Sequence, residues 1–226
     1  MSAESGDHNT LKHKVYADLR QAIIMGRRQP GAKIDVRQIA RHYGTSITPV
    51  REAMQMLNQE GLVAIKPHSG FRVTQLTLKQ LKDLLDLREV LEVAAVERAA
   101  SRITEAQLAQ LEASYTGYTG DDDESYTRYT AENKRFHCLI AQASGNQELC
   151  EMLGHLHDRL ARFMVLRQAG HTMQYTHARI VEALRSRDVA LARQAMLDEL
   201  AETNQIVLER VIQEQGDAWH VGERGG

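Results

Sequence analysis

Apolar residues recur at helical spacing through most of the chain, and only two short runs are strand-like. In the first quarter this pattern predicts three helices: one over 11–25, a short one between Asp35 and Gly44, and one over 48–60. We expect Asp35 and Thr48 to cap the second and third helices, because their oxygens accept hydrogen bonds from free N–H groups at a helix start. Pro49 would then occupy the first helical position, which needs no N–H.

Two strand-like runs, 62–65 and 71–74, follow the third helix and flank a turn-rich segment. This pattern predicts a β-hairpin. Two helices joined by a tight, glycine-containing turn and followed by a hairpin form a winged helix-turn-helix. We therefore predict a winged helix-turn-helix domain over 11–75, preceded by a disordered leader over 1–10.

From residue 77 onward helical periodicity takes over, so the predicted fold class is mainly α. We expect Thr77, Thr104 and Asp188 as N-caps, and we expect Gly145-Asn146 and Gly170 to separate helices. Helices joined by short loops pack as an antiparallel bundle, which predicts an all-α helical domain over 76–215 and a disordered tail over 216–226. The predicted helices lie near 77–101, 104–116, 123–144, 147–168, 171–187 and 188–214.

Charge is distributed unevenly along the chain. Residues 1–76 carry 11 Lys and Arg against 6 Asp and Glu, whereas the remainder carries 17 against 24. A basic front suits a chain that presents one end to phosphates. No apolar run is long enough to span a membrane and the first residues are polar, so we expect a cytoplasmic protein without a membrane partner. Cys138 and Cys150 fit no metal-ligand spacing and are expected to be buried thiols.

The third helix would enter the major groove of DNA, because the second helix of a helix-turn-helix places its first residues on base edges. Arg51 is the first candidate for a base or phosphate contact, and the alternative is a surface salt bridge to Glu52 or Glu60. Val50, Ala53, Met54 and Leu57 recur at helical spacing and are expected in the core. The other candidates are Ser46 and Thr48 on the DNA backbone, Arg37 on a flanking phosphate, and His68 with Gly70 at the wing tip, near the minor groove.

The stretch Thr48-Pro-Val-Arg-Glu-Ala, with Glu60-Gly-Leu and Ser69-Gly-Phe-Arg-Val, closely resembles the N-terminal domain of GntR-type regulators over residues 11–74. Family members commonly carry Arg where this chain has Ile47, so one polar contact is either missing or replaced by an apolar contact with a thymine methyl group. The resemblance implies a homodimer that binds a short palindromic operator in double-stranded DNA, with DNA-contacting positions at Arg37, Ser46, Thr48, Arg51 and Gly70.

Asn133-Lys-Arg-Phe-His137 and the run from His177 to Asp188 resemble the FCD-type ligand-binding domain of the FadR-like branch. The resemblance implies a divalent metal ion among Asn133, His137, His177 and Glu199, with a small organic acid completing its coordination. Asn133 and His137 lie four residues apart, so both project from one helix face. Nitrogen and oxygen donors suit Zn²⁺, Ni²⁺ or Mn²⁺. Asn and Glu depart from the commonest donors, and the alternative is a pair of core histidines with no metal.

Arg88 lies in the first helix of this domain, where family members often place an arginine that lines the effector cavity. A buried guanidinium can bind a carboxylate through two hydrogen bonds, and the alternative is an intrahelical pair with Glu92 at i+4. His155, His157 and His171 show no partner pattern and are expected at the surface.

The predicted function is a DNA-binding transcriptional regulator, a repressor on family grounds, controlled by a small carboxylate. Nothing in the sequence supports a dedicated catalytic base or nucleophile, so we expect no enzyme activity. Two alternatives stay open: a metal-free regulator that senses acyl chains, and a metal-dependent hydrolase fused to a DNA-binding module.

Overall fold

A computed structural model describes residues 3–67, 69–115, 123–164 and 170–215. The chain divides into two compact units, Met1–Gln75 and Leu76–Gly226. The fold is mainly helical, with one small sheet in the first unit. This architecture confirms the predicted fold class, a winged helix-turn-helix with a helical C-terminal part.

The first unit contains three helices and three short strands. The strands form an antiparallel sheet in the order β1-β3-β2, in which Ile65 pairs with Phe71 at the end near the hairpin turn. The elements are α1 Ala3–Ile24, β1 Lys33–Ile34, α2 Val36–His42, α3 Ile47–Gln59, β2 Val63–Lys66 and β3 Gly70–Val73.

The starts of two helices differ from the prediction. Helix α1 begins at Ala3, so it includes most of the segment predicted as a leader. Helix α3 begins at Ile47 with Ser46 as its N-cap, so the expected cap at Thr48 is wrong and Pro49 is the third helical residue. Proline is tolerated there because the first four N–H groups of a helix have no intrahelical partner.

The predicted cap of α2 and the predicted core face of α3 are confirmed. The Asp35 carboxylate accepts hydrogen bonds from the backbone N–H groups of Arg37 and Gln38. Helix α3 packs against α1, α2 and strand β2, and its opposite side faces solvent. The expected core residues of α3, Val50, Ala53, Met54 and Leu57, are fully buried.

The second unit consists of helices in its described part. The expected caps are confirmed: Thr77 forms a capping box with Gln80, Thr104 exchanges hydrogen bonds with Gln107, and Asp188 accepts one from the N–H of Leu191. The helices are α4 Leu78–Arg102, α5 Glu105–Tyr115, α6 Asp123–Ala143, α7 Gln147–Leu160, α8 Gly170–Arg185 and α9 Val189–Gln215.

Two boundaries in the second unit differ from the prediction. Helix α7 ends at Leu160 rather than near 168, and Gly170 is the first residue of α8 rather than a break before it. The tail predicted over 216–226 and the segment between the helices predicted near 104–116 and 123–144 lie outside the described residues. Cys138 and Cys150 are free thiols, half-buried rather than buried.

Helix α4 is the central element of the second unit, because it packs against α6, α7, α8 and α9. Its buried face carries leucine, valine and alanine along most of its length, but Arg88 and Glu92 interrupt that series with two fully buried charges. None of the described helices is apolar over a stretch long enough to cross a membrane.

Candidate DNA-binding surface and effector pocket

Helices α2 and α3 are joined by a tight turn. Gly44 has a φ of +63°, a backbone conformation that side-chain-bearing residues rarely adopt, so glycine suits this position. After the turn, Ser46, Ile47, Thr48 and Arg51 all lie exposed on the first turns of α3. The residues that are predicted to contact DNA from this helix therefore all lie exposed at its N-terminal end.

Arg51 is free to contact an external partner. Within the described part of the chain it has no ion pair, and its two alternative partners are engaged elsewhere. The Glu60 carboxylate accepts a hydrogen bond from Arg20 Nε at 2.8 Å, and a Glu52 oxygen lies 3.8 Å from Lys12 Nζ. Arg51 therefore does not form the alternative salt bridge to Glu52 or Glu60.

One exposed residue on this face was missed by the sequence analysis. Gln55 lies one turn after Arg51 and two turns after Thr48, and it is exposed. Positions four and seven apart share a helix face, so the spacing from Arg51 could have identified it. A glutamine amide can donate to and accept from the edge of an adenine at once.

The remaining DNA-binding candidates lie at the start of α2 and at the hairpin. Arg37 is exposed in the first turn of α2. Gly70 begins β3 with a φ of +75°, pairs with Lys66, and has open space where a side chain would stand. His68 lies outside the described residues. The described part of the wing thus offers an exposed backbone and the exposed amine of Lys66.

Seven polar side chains from five helices meet inside the second unit, and none is more than 4% exposed. Burying so many polar groups in one place is costly unless they bind one another or a ligand. We call this group the effector pocket, after the role that the sequence predicts for this domain. It consists of Arg88 and Glu92 of α4, Asn133 and His137 of α6, His157 of α7, His177 of α8, and Glu199 of α9.

Three of the four predicted metal donors come together in this pocket. One ligand atom from each of His137, His177 and Glu199 lies within 4.8 Å of the other two. Asn133 lies one turn before His137 on α6 and is buried. The predicted donors therefore lie in one buried cluster and come from three different helices.

Several donor atoms of this set have no hydrogen-bond partner among the described residues: Asn133 Oδ1, both ring nitrogens of His177, and Glu199 Oε2. Buried polar atoms are rarely left unpaired, because each loses its bonds to water. Oxygen and imidazole-nitrogen donors that converge without partners have the chemistry of a divalent cation site. The residues present therefore fit a metal ion.

His177 is held in a defined orientation and protonation state. Its ring stacks on Phe136, with centroids 3.9 Å apart and planes 9° from parallel. Burial holds the pKa of His177 well below its ordinary value, and electrostatic interactions with His137 and Arg88 act in the same direction. A neutral imidazole keeps a lone pair available for a metal.

Glu92 and His157 were not predicted as pocket residues, and the expected surface position of His157 is wrong. His157 Nε2 donates to Glu92 Oε1 at 2.7 Å, and His137 Nδ1 lies 3.1 Å from the same oxygen. His157 shares the buried stripe of α7 with Leu153 and Leu160, so helical periodicity could have identified its burial. His155 is exposed as predicted, and the side chain of His171 lies outside the described residues.

The pKa values of this pair favour a charged carboxylate and a neutral imidazole. Burial by itself raises the pKa of Glu92, but His137 and His157 outweigh it, so that pKa lies well below its ordinary value. Burial lowers the pKa of His157 to about 4, although its hydrogen bond to Glu92 opposes the shift. Glu92 is thus a buried anion that accepts from neutral histidine.

Arg88 is fully buried and lies between the two carboxylates of the pocket. Its Nε is 3.5 Å from Glu92 Oε1, so the alternative i+4 pair is present, although in the interior. One terminal nitrogen, Nη2, lies 3.6 Å from Glu199 Oε1 and 3.1 Å from His137 Nε2. Arg88 therefore compensates buried charge at the place where the metal donors converge.

Two family models match the chain, one on each unit. The model for bacterial regulatory proteins of the gntR family matches residues 11–73, and the model for the FCD domain matches residues 83–202. An uncharacterized HTH-type transcriptional regulator of Bacillus subtilis (strain 168), YdhC, is 30% identical over 188 residues, which cover 80% of this chain and 84% of YdhC. The likeness therefore extends over both units.

Solved structures share the fold. E. coli McbR/YncC has a TM-score of 0.72 at 24% identity and covers 89% of this chain and 98% of its own. A putative transcriptional regulator GntR from Rhodococcus sp. RHA1 has a TM-score of 0.67 at 25% identity, over 87% of this chain and 97% of its own. The chain therefore shares its fold with these solved structures.

Proposed function

We propose a function from the premise that the chain belongs to the GntR family of bacterial regulatory proteins and is a DNA-binding transcriptional regulator with a C-terminal FCD domain. It acts as a repressor: a homodimer holds a palindromic operator and releases it when a small carboxylate binds in the effector pocket beside a divalent metal ion. We assign repression on family grounds. The observation that carries the pocket assignment is a set of buried atoms without a hydrogen-bond partner in the described chain: Asn133 Oδ1, both ring nitrogens of His177, and Glu199 Oε2.

The DNA-binding half of the proposal rests on the exposed face of α3. Arg51 has no ion pair in the described chain, while Thr48 and Gln55 lie one turn before and after it on the same face. A charged side chain left without a partner on a recognition helix can bind a guanine edge or a phosphate. The excess of basic residues in 1–76 supports phosphate contacts, which make binding weaken with salt.

The dimer rests on an apolar patch of α4. Leu87 is 41% exposed and Val90 is 65% exposed, and they lie three residues apart on one face. Large apolar side chains grouped on a surface favour contact with another apolar surface. A second copy of α4 would cover this patch in a two-fold arrangement, which matches a palindromic operator.

The metal ion would be held by His137, His177 and Glu199, with Asn133 as an oxygen donor from one turn away. When bound, it supplies a Lewis acid that attracts a carboxylate of the effector. We propose Zn²⁺, Ni²⁺ or Mn²⁺, because the donor set mixes imidazole nitrogen and oxygen.

The charges of the pocket favour a small acid as the effector. Glu92 and Glu199 bring two carboxylates into the pocket and Arg88 one guanidinium, so the carboxylates outnumber the guanidinium by one. A divalent cation reverses that excess, and one carboxylate of an effector then balances it. A long acyl chain would instead bury its methylenes against charged groups, which disfavours the metal-free acyl-chain alternative.

The DNA-binding claim is tested by selecting duplexes from a randomised library with the full-length protein. We expect a palindromic consensus whose affinity falls with rising salt, because phosphate contacts release counterions. Addition of metal and a panel of small carboxylates should then release the operator. Affinity that is flat from low to high salt would contradict the phosphate contacts, and tighter binding with the effector would contradict repression by release.

The metal claim is tested by calorimetric titration of the chelator-stripped protein with Zn²⁺ and Ni²⁺. We expect stoichiometric binding that is abolished in His137→Ala and His177→Ala, because each removes a donor. His155→Ala is the matched control, since His155 is exposed outside the pocket. Binding that survives both pocket substitutions would place the metal elsewhere.

A further inference from the structure

A buried guanidinium lies among the atoms that would bind the metal. Arg88 Nη2 is 3.1 Å from His137 Nε2 and 3.6 Å from Glu199 Oε1, and those two ligand atoms are 3.9 Å apart. In a triangle with these sides, the midpoint between the ligand atoms lies less than about 3 Å from the guanidinium nitrogen. A cation bonded to both atoms at about 2.1 Å would sit close to that midpoint.

The guanidinium and a metal ion are incompatible at this distance. Arginine stays protonated in proteins and has no lone pair to offer a metal, so it cannot become a ligand. It would instead stand as a positive charge next to a dication, in an interior that screens charge poorly. Arg88 has to leave His137 Nε2 and Glu199 before an ion can bond to both.

We propose that Arg88 is the internal counter-cation of the metal-free pocket and that it competes directly with a divalent metal ion for His137 and Glu199. The inference rests on the metal site of the proposed function and adds a competitor to it. Arg88 also faces Glu92 on its own helix, so the displaced guanidinium keeps one carboxylate within reach. Once freed from Glu199, it can bind the carboxylate of an effector, so metal and effector would bind with positive coupling.

The competition predicts opposite effects of one substitution. Loss of the guanidinium removes the partner of two buried carboxylates, so the metal-free protein becomes less stable. The same loss removes the competitor, so the metal binds more tightly. If Arg88 only anchored the effector, its substitution would leave the metal affinity unchanged in the absence of effector. If Arg88 only supported the fold, its substitution would weaken metal binding.

The test is calorimetric titration of full-length, chelator-stripped protein with Zn²⁺ and Ni²⁺ in a buffer without carboxylates. We expect Arg88→Gln and Arg88→Met to lower the Kd for the metal at least about tenfold, since a like charge within about 3 Å is removed. The melting temperature of the metal-free variants should fall below that of the wild type. Arg98→Gln is the matched control, because Arg98 is an exposed arginine of the same helix, and it should change neither value.

The outcomes separate this inference from the proposed function. An equal or higher Kd in a folded Arg88 variant would overturn the competition and leave the metal site intact. Metal binding by the Arg88 variants but not by the wild type would support the competition. Failure of every protein to bind Zn²⁺ or Ni²⁺ would overturn the metal site and the competition together.

A measurement on the wild type covers the case in which both Arg88 variants misfold. In ¹⁵N-arginine-labelled protein, the side-chain N–H signals of buried arginine should shift when Zn²⁺ binds. The guanidinium would be leaving its contacts with His137 and Glu199, while signals of exposed arginines stay in place. Stoichiometric Zn²⁺ binding without any such shift would overturn the competition.

Discussion

Glu92→Gln is the change that tests the charge network of the effector pocket most directly. The side chain keeps its size and one carbonyl oxygen, but the negative charge is lost. In the structure that charge lies 2.7 Å from His157 Nε2, 3.1 Å from His137 Nδ1 and 3.5 Å from Arg88 Nε. All four side chains are buried, so water cannot replace the missing charge.

The size of the effect follows from what remains around Arg88. Removal of one partner of a buried ion pair costs about 3–5 kcal/mol, because the other charge stays in a poorly screening interior. Glu199 Oε1 still lies 3.6 Å from Arg88 Nη2, and the new amide oxygen can still accept from His157. We therefore expect a loss of unfolding free energy at the lower end of this range, about 3 kcal/mol. For a unit the size of Leu76–Gly226 this corresponds to a fall in Tm of about 6–12 °C.

The assay is thermal and urea unfolding of the metal-free protein, followed by circular dichroism at neutral pH. Glu89→Gln is the matched control: it makes the same substitution on the exposed side of α4 and should stay within about 0.5 kcal/mol of the wild type. If Glu92→Gln were as stable as Glu89→Gln, the buried carboxylate would not be compensating the charge of Arg88, and the argument from the network would be refuted.

Three further changes test the DNA-binding surface, the dimer and a helix cap. Arg51→Ala should weaken operator binding by about 1–3 kcal/mol if Arg51 contacts a base, and unchanged affinity would remove it from the interface. Val90→Glu should convert dimers to monomers in light scattering, and an intact dimer would place the contact elsewhere. Asp35→Ala should lower the melting temperature at pH 7. Hydrogen bonding, chiefly from the Gln38 N–H, lowers the pKa of Asp35, so its stabilisation is present above its unfolded value of 3.8 and is lost as pH falls through the folded value. A deficit that persists unchanged at pH 2 would contradict the cap.

Features set by neighbouring residues could be predicted from the sequence. The caps at Asp35, Thr77, Thr104 and Asp188 were predicted correctly, because each depends on a side chain and an N–H two or three residues away. The start of α3 was not predicted correctly. Ser46 and Thr48 are both good caps, and proline fits any position of a first turn, so local chemistry does not choose between them.

Features that depend on distant partners were missed. Strand β1 has two residues, too few for any periodicity, and it is a strand because Ile34 pairs with Phe71. The contact between Glu92 and His157 joins α4 to α7, and helical spacing predicts which face of each helix is buried but not which helices meet. The meeting of His137, His177 and Glu199 was expected from the family resemblance, since spacing within a helix linked only Asn133 to His137.

Glu199 departs from the commonest donor pattern, and its effect on metal preference can be measured. A carboxylate favours ions such as Mn²⁺, whereas imidazole favours Ni²⁺ and Zn²⁺, so Glu199→His should raise the ratio of Ni²⁺ to Mn²⁺ affinity. It also removes one carboxylate that holds Arg88, so the guanidinium is less firmly kept at the site. Only the change of donor alters the ratio, because a loosened guanidinium competes less with either ion. The control is Glu202→His, an exposed position of α9, which should leave the ratio unchanged. The measurement is competition calorimetry with the two ions. An unchanged affinity ratio in Glu199→His would mean that Glu199 does not bond to the metal. The metal ligands would then include no residue of α9.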